Sequence, residues 1–153
     1  MVFIAVGTQK QQFNRIFKIV ENSNILKDDQ VIAQSGFTKY NSNKVKMLGF
    51  ISQDELNEYI KTSDLVICHG GVGTIFTALR YKKKVLVIPR LKKYKEHKND
   101  HQVEICEELQ KNGYILYLKD GEDLDEKLEK LKDFKFKEYL PDNRYIKILT
   151  EVI

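Results

Sequence analysis

Residues 65–79, LVICHGGVGTIFTAL, contain the pattern that decides the predicted fold. An apolar run over residues 65–68 indicates a buried strand, a glycine-rich turn spans residues 69–73, and residues 74–79 have the apolar spacing of a helix. Glycines let the backbone come close to a ligand. A helix N-terminus offers free N–H groups and the positive end of the helix dipole to an anion. A strand, a glycine turn and a helix in this order therefore predict a phosphate-binding site.

The start of the chain repeats this arrangement. Residues 2–6, VFIAV, form a nearly continuous apolar run that ends at Gly7 and Thr8. Such runs are typical of a central parallel strand that is buried on both faces. From residue 9 onward the apolar residues recur at helical spacing, at Phe13, Ile16, Phe17 and Val20. The chain therefore opens as a strand, a Gly-Thr turn and a helix, and we expect its apolar N-terminus to be this strand rather than a signal peptide.

Strands and helices continue to alternate along the chain. Four further strands are predicted at residues 30–34, 44–50, 85–88 and 114–118, in addition to the strands at residues 2–6 and 65–68. Ser52 followed by Glu55 predicts a capping box at the start of a helix. Further helices are predicted after the glycine turn at residues 74–81, and at residues 99–111, 124–131 and 145–153.

This order predicts an α/β fold, a Rossmann-like doubly wound parallel sheet of about six strands that forms a single domain over residues 1–153. In such sheets the ligand lies beyond the C-terminal ends of the strands, where the strand order reverses. With the order 3-2-1-4-5-6, the reversal falls between the first and fourth strands. We therefore expect Gly7 and Thr8 to face the turn at residues 69–73 across one crevice.

Composition narrows the class of protein. The chain is 42% hydrophobic and 31% charged, which is ordinary for a soluble domain. No apolar run approaches the roughly 20 residues that span a bilayer. Cys68 and Cys106 are the only cysteines and form no CxxC pair. A reducing, cytosolic setting without structural zinc is therefore expected.

Basic residues are concentrated between Arg80 and Lys98, where nine lysines and arginines accompany one acid, Glu96. Three interpretations stay open: a solvated loop, a surface for anionic membrane lipids, and a contact with a phosphate-bearing ligand. A nucleic-acid surface is less well supported, because Tyr81 and Tyr94 are the only aromatic residues among these basic ones.

The glycine turn matches neither of the common nucleotide motifs. It follows the fourth strand rather than the first and lacks the spacing GxGxxG, and no Gly-Lys-Ser/Thr follows it. A tight structural turn is the alternative to a ligand site. Each histidine also has a structural interpretation. His69 is either a hydrogen-bonded structural residue or a catalytic one, and His97 is interpreted as a solvated residue. His101 and its neighbours either cap a helix or contact a ligand. They do not share metal-ligand spacing, so no bound zinc is predicted.

The segments HGGVGTIFTAL (69–79), KKVLVIPRLKKYKEHKNDHQVEICEEL (83–109) and VFIAVGTQKQQFNRIF (2–17) resemble the nucleotide-sugar-binding half of GT-B glycosyltransferases. The likeness is to the family-28 type C-terminal domain and covers about residues 1–115. This domain occurs in the peptidoglycan N-acetylglucosaminyltransferase and in the soluble subunit of a two-subunit eukaryotic transferase. The similarity is greater still to bacterial capsule and exopolysaccharide proteins of the same build.

The resemblance implies a specific function. The chain would be the donor-binding, catalytic subunit of a split inverting glycosyltransferase that transfers a hexose from a UDP-sugar to a polyprenyl-diphosphate-linked acceptor. A membrane-anchored partner would bind this acceptor and hold the chain at the cytoplasmic face of the membrane. No cofactor or bound metal is implied, because helix N-termini and glycine-turn amides would meet the diphosphate charge. No nucleic acid is expected as a partner.

The resemblance also implies roles for individual residues. His69 would be the candidate general base, and Thr77 occupies the position where many relatives carry a ribose-binding Glu. The donor and its diphosphate would be bound by Gly7, Thr8, Gly70, Gly71, Gly73, Thr74, Asp100, His101 and Gln102. The missing Glu leaves a second hypothesis open, a non-catalytic enhancer subunit that stabilises a partner glycosyltransferase. A nucleic-acid-binding module that uses the lysines is a third, weaker one.

Overall fold

The computed structural model describes residues 1–140 and contains one six-stranded sheet with helices on both faces. The strands are β1 (Val2–Ala5), β2 (Val31–Gln34), β3 (Val45–Met47), β4 (Leu65–Cys68), β5 (Lys84–Val87) and β6 (Leu116–Tyr117). The helices are α1 (Asn14–Glu21), α2 (Gln53–Thr62), α3 (Val72–Arg80), α4 (His101–Lys111) and α5 (Leu124–Asp133), with a 3₁₀ turn at Lys92–Tyr94. Within residues 1–140, none of the helices is both long and apolar enough to cross a bilayer.

The strand order is β3-β2-β1-β4-β5-β6, and every pair of neighbours is parallel. The predicted doubly wound sheet is therefore confirmed, including its reversal between β1 and β4. Ala5, the last residue of β1, pairs with Gln34 of β2 and with Cys68 of β4. These strands end level with one another, so the residues that follow them meet at the same edge of the sheet.

Each face of the sheet carries its own apolar layer. One layer joins β1 to helices α1 and α5 through residues such as Phe17 and Leu128. The other joins the sheet to α2, α3 and α4 through residues such as Ile60, Ile75 and Leu109. Strands β1 and β4 are buried along their whole length. Burial on both faces explains why their sequences are continuously apolar rather than alternating.

Several predicted boundaries were wrong by a few residues. Helix α1 begins at Asn14, not near residue 9, and α3 begins at Val72 with Gly71 in the N-cap position. Gly73 therefore lies in the first turn of α3 instead of the preceding loop. The Ser52 capping box of α2 is confirmed in both directions. The helix predicted at residues 145–153 falls outside the described residues.

The basic run between Arg80 and Lys98 is not one surface. Strand β5 divides it, because Lys82, Lys83 and Lys84 lie where this strand begins. Lys92 and the lysines after it follow the end of the same strand. The two halves of the run therefore lie at opposite edges of the sheet. The second half, at the edge where the strands end, is called the basic loop below (residues 90–98).

Candidate functional site

A crevice of about 520 Å³ opens at the sheet edge where β1 and β4 end. Its walls include Gly7, Thr8, His69, Gly71, Gly73, Thr74 and Thr77. The prediction that the two glycine turns face one crevice is therefore confirmed.

The crevice has further lining residues that were not predicted. They include Gln34, Phe50, Ser52, Gln53 and Arg80. Sequence reasoning did not identify these residues as part of the site; it found only that Ser52 caps a helix.

The glycine turn is shaped around the His69 ring. A Cβ atom placed on Gly71 would lie 2.1 Å from His69 Cε1, and one placed on Gly7 would lie 2.6 Å from His69 Cε1 and Nε2. Gly7 also has a φ of +80°, which side-chain-bearing residues rarely adopt. The ring thus fills the space between the two turns. These glycines make room for an imidazole, a requirement that local sequence does not reveal.

Gly73 is placed differently from Gly71. No atom lies within 4 Å of a Cβ built on Gly73, and the residue is exposed on the crevice wall. Helix α3 has no side-chain hydrogen bond at its N-cap, Gly71. Its first turn therefore presents backbone N–H groups to the crevice. Such an arrangement is suited to binding an anionic ligand.

Gln102 joins the ends of β4 and β5. Its side-chain Oε1 accepts hydrogen bonds from the backbone N–H groups of Gly70 and Arg90, each at 2.9 Å. A Cβ on Gly70 would lie 2.6 Å from Gln102 Cβ. Gln102 Nε2 lies 3.5 Å from His69 Nδ1. Since Gln102 is buried, this amide fixes both the glycine turn and the start of the basic loop.

The opposite wall is fixed by a second buried glutamine. Gln34 Oε1 accepts hydrogen bonds from the N–H groups of Val6 and Gly7, both at 3.1 Å, and Gln34 Nε2 donates to the Gly7 carbonyl at 3.1 Å. Both turns that form the crevice are thus held by a glutamine side chain from a neighbouring element. Neither glutamine could be assigned this role from its position in the sequence.

A second cavity of about 340 Å³ lies on the other side of the glycine turn. His69 and Gly71 line both cavities, whereas Gly70, His101 and Gln102 line only the second. His97 and Lys98 of the basic loop complete it. The predicted ligand residues therefore divide between two adjoining spaces.

Asp100 is not brought to either space. It precedes α4, and its side chain accepts a hydrogen bond from Lys92 N at 2.9 Å. It lines a separate cavity with Lys93 and Glu104. The prediction that Asp100 contacts the donor together with His101 is therefore not supported by this geometry, because adjacent residues at a helix start point to different sides.

Thr77 lies on the crevice wall, one helical turn after Gly73. Its hydroxyl donates to the Gly73 carbonyl at 2.8 Å, within α3. A small adjoining cavity brings Thr77 together with Gln53, Asn57 and Arg80. Polar groups are therefore present around the position where relatives are expected to carry Glu, although no carboxylate is among them.

The basic loop is built on buried charged residues. Arg90 is 0% exposed and Glu96 is 3% exposed, while the intervening lysines are exposed. Burial lowers the pKa of Arg90 to about 10, and the nearby Glu96 partly opposes that shift. Exposure of these lysines is compatible with each of the three interpretations of the run, whereas the burial of Arg90 and Glu96 was not anticipated. A buried arginine cannot be told from an exposed one within a charged run.

Two further observations bear on metals and thiols. Among residues 1–140, no group of three His, Cys, Asp or Glu side chains is arranged to hold a metal ion. Cys68 and Cys106 are buried free thiols, and burial raises the pKa of Cys68 to about 12. Neither cysteine has the thiolate character that reactivity requires.

His69 is expected to make stability depend on pH. Burial, with smaller contributions from Arg90 and His97, lowers the pKa of His69 to about 3 from an ordinary 6.5. Below pH 6.5 the unfolded chain therefore binds a proton that the folded chain excludes, so the free energy of unfolding decreases with acidification. For His69 alone, the decrease between pH 6.5 and pH 5 is about 1.5–2 kcal/mol.

Urea unfolding at a series of pH values measures this dependence. His69→Asn should remove most of the decrease between pH 6.5 and pH 5. His97, whose pKa burial also lowers, accounts for a remainder. Carboxyl groups with lowered pKa, such as Asp125, contribute only at more acidic pH. An unchanged pH dependence in His69→Asn would contradict the placement of a neutral imidazole at this position.

The chain is similar to known glycosyltransferase domains. A model of the family described as "Glycosyltransferase family 28 C-terminal domain" matches residues 1–146. The UDP-N-acetylglucosamine transferase subunit ALG13 of Debaryomyces hansenii is 32% identical over 120 residues, which is 72% of this chain and 55% of that protein. A Clostridium botulinum (strain Loch Maree / Type A3) UDP-N-acetylglucosamine--N-acetylmuramyl-(pentapeptide) pyrophosphoryl-undecaprenol N-acetylglucosamine transferase is 32% identical over 129 residues, 82% of this chain and 34% of that protein.

Solved structures show the same fold. The NMR solution structure of ALG13 matches with a TM-score of 0.65 at 22% identity, over 97% of this chain and 93% of that one. The glycosyltransferase SnogD from Streptomyces nogalater matches with a TM-score of 0.60 at 19% identity, over 86% of this chain and 35% of that one. The chain spans about a third to a half of the length of the curated relatives described above.

Proposed function

Because this chain belongs to the glycosyltransferase family 28 C-terminal domain family, we propose that it is the donor-binding subunit of a glycosyltransferase that uses a UDP-sugar. The crevice at the β1–β4 reversal carries this proposal. There the exposed Gly73 and the N-terminal turn of α3 face Gly7 and Thr8. Both curated relatives are named for transfer of N-acetylglucosamine from its UDP form. The sugar used by this chain is a hexose of the same general class.

The diphosphate is proposed to lie against the first turn of α3. Backbone N–H groups around Gly71, Gly73 and Thr74 would donate to its oxygens, aided by the helix dipole. Arg80 adds a cation on the same wall. These groups can balance the charge of a UDP leaving group without a tightly bound metal. UDP-sugar is thus the substrate, and no cofactor is proposed.

The two cavities suggest how the donor divides. The nucleoside would occupy the larger crevice, where Thr77 and Gln53 offer polar atoms to the ribose. The sugar would extend past Gly70 toward His101 and Gln102. Gln102 Oε1 is already shared by two backbone donors, so its Nε2 is the atom proposed to reach the sugar.

His69 is a weak candidate for the general base. Gln102 Nε2 can only donate, so the His69 Nδ1 that faces it at 3.5 Å is the acceptor nitrogen, and the proton of the neutral ring lies on Nε2, which has no hydrogen-bond partner within residues 1–140. The pKa of about 3 also places the proton affinity of His69 far below that of an efficient base at neutral pH. We therefore propose that His69 chiefly shapes the turn and that the acceptor's proton passes to a group supplied by the partner.

The acceptor-binding half is proposed to come from a separate, membrane-anchored protein. The described residues form one α/β unit, and the crevice lies open at the sheet edge where such a partner would dock. The acceptor would be a polyprenyl-diphosphate-linked saccharide, and the chain would be peripheral at the cytoplasmic face through its partner. Synthesis of capsule or exopolysaccharide is the proposed setting.

Thermal unfolding with UDP tests donor binding. At a UDP concentration about 100 times Kd, binding should stabilise the fold by about 2.7 kcal/mol and raise Tm by about 5–10 °C. Gly73→Asp should abolish this rise, because its carboxylate would repel the diphosphate at a position with open space. Gly73→Asn is the matched uncharged control and should keep most of the rise. No shift of the wild-type Tm at millimolar UDP would contradict the proposal.

The enhancer hypothesis predicts a different result. A subunit that only stabilises a partner transferase should support transfer whether or not its own crevice binds UDP. Thr77, in place of a ribose-binding acid, favours this second candidate. With purified partner and labelled UDP-sugar, Gly73→Asp should stop transfer if this chain binds the donor. Unchanged transfer with a folded Gly73→Asp protein would favour the enhancer.

A further inference from the structure

Arg90 connects three segments that border the proposed donor site. Its Nη2 donates to the Val6 carbonyl at 2.7 Å, and its Nη1 donates to the carbonyls of Gln11 at 2.8 Å and Glu96 at 3.1 Å. The guanidinium carbon also lies 4.9 Å from the centre of the Phe13 ring. One fully buried side chain therefore holds the end of β1, the loop before α1 and the basic loop together.

Glu96 holds the other end of this arrangement. Its carboxylate accepts two hydrogen bonds from Arg15, at 2.9 and 3.0 Å, and one from Leu91 N at 3.0 Å. Glu96 N donates to the Leu91 carbonyl at 3.1 Å, which closes the basic loop on itself. Arg15 also donates to the Pro89 carbonyl at 2.8 Å. The loop is thus a fixed structure rather than a free chain segment.

The arrangement reaches both walls of the crevice. Val6, whose carbonyl accepts from Arg90, directly precedes Gly7 on one wall. The backbone N–H of Arg90 shares Gln102 Oε1 with the N–H of Gly70, which belongs to the glycine turn on the other wall. A change at Arg90 can therefore affect Gly7 through Val6, and Gly70 through Gln102.

We propose that Arg90 is a positioning residue that sets the separation of the two crevice walls and thereby the affinity for the diphosphate of the donor. The ligand in this statement rests on the proposed function; the positioning of Gly7 and Gly70 does not. Arg90 itself is fully buried and does not line the crevice, so it acts through the backbone.

The chemistry of the side chain favours positioning over simple core filling. Burying a charged group is a costly way to stabilise a protein, and apolar residues of similar volume often serve stability equally well or better. A planar guanidinium can instead donate several hydrogen bonds in fixed directions, and here three carbonyls accept them, two of which belong to the start of the chain. Arg90 Nε has no partner within residues 1–140, so the side chain is not optimised for its own hydrogen bonding.

Amide hydrogen exchange without ligand tests the positioning directly. In Arg90→Met, the amides of Gly7 and Gly70 should exchange at least about tenfold faster, relative to the Phe3 amide in the centre of the sheet, than in the wild type. Leu128→Ala is the matched control, because it truncates a buried residue of α5 on the sheet face that is covered by α1 and α5. It should raise exchange generally without singling out these two glycines. Equal relative exchange in the two variants would overturn the proposal.

UDP affinity, measured by calorimetry where each variant is folded, provides the second readout. Arg90→Met should weaken UDP binding at least about tenfold, Arg90→Lys should restore part of the loss because an ammonium can still donate to these carbonyls, and Leu128→Ala should bind like the wild type. Wild-type affinity in folded Arg90→Met would overturn the proposed effect on the ligand. If the wild type itself does not bind UDP, the proposed function fails, whereas the exchange experiment still decides whether Arg90 positions the walls.

Discussion

Gly71→Ala is expected to destabilise the protein by about 1–3 kcal/mol, the usual cost of forcing an extra group into a packed site. The added Cβ would lie 2.1 Å from His69 Cε1. His69 is buried, and the other side of its ring packs closely against Gly7. The ring therefore has little room to move away from an added Cβ. Urea unfolding measures the loss, and UDP binding should weaken because the turn must shift to relieve the clash.

A double variant identifies the cause. His69→Ala removes the ring, so His69→Ala with Gly71→Ala should be no less stable than His69→Ala alone. Gly73→Ala is the control on the same helix turn, where a Cβ meets nothing within 4 Å. It should be neutral or stabilising, by up to about 1 kcal/mol, because alanine favours helix over glycine. If Gly71→Ala and Gly73→Ala had equal effects, the turn would not be shaped by His69.

The glycine turn shows how far local sequence reaches. The pattern of apolar strand, glycines and helix located the turn and the crevice correctly, because these are properties of neighbouring residues. The reason for the individual glycines could not be predicted in the same way. It depends on the His69 ring lying between Gly7 and Gly71, residues that are far apart in the chain and come together only because β1 and β4 end side by side in the sheet.

The same distinction holds for charge. The Ser52 capping box was predicted because both of its partners lie within one helical turn. Arg90 and Glu96 were counted only as members of a basic run, and their burial depends on Arg15, Val6 and Gln11 from the start of the chain. The basic run itself was divided by β5, which the sequence did predict. Combining the two predictions would have placed its halves at opposite sheet edges.

Family membership confirms the coarser part of the functional hypothesis. The family-28 type domain inferred from the glycine turn and residues 83–109 matches nearly the whole chain. The capsule setting, the partner and the roles of individual residues stay predictions. The geometry separates these roles, since Gly73 is open to a ligand, Gly71 is occupied with His69, and Asp100 faces another cavity.

Gln102→Leu is expected to have the largest effect on stability of any substitution at the site. It would leave the N–H groups of Gly70 and Arg90 buried without an acceptor, and each such group costs about 1–3 kcal/mol, so the free energy of unfolding should fall by about 2–6 kcal/mol. Gln110→Leu is a matched control on α4, because Gln110 Oε1 accepts from one backbone group, Tyr117 N, at 2.9 Å. Urea unfolding should show at most half the loss in that variant, because this hydrogen bond is only partly buried.

Gln102→Glu separates the structural role of this side chain from its proposed contact with the donor sugar. A carboxylate keeps an acceptor for both backbone N–H groups, so this variant should be clearly more stable than Gln102→Leu. It has no Nε2, however, and cannot donate to a sugar hydroxyl. Its affinity for UDP should fall through charge repulsion of the diphosphate, and its affinity for the UDP-sugar should fall further because the sugar contact is lost as well. Equal losses for both ligands would mean that Gln102 acts on the site only by holding the glycine turn, and the sugar contact would then have to come from His101 or from the partner.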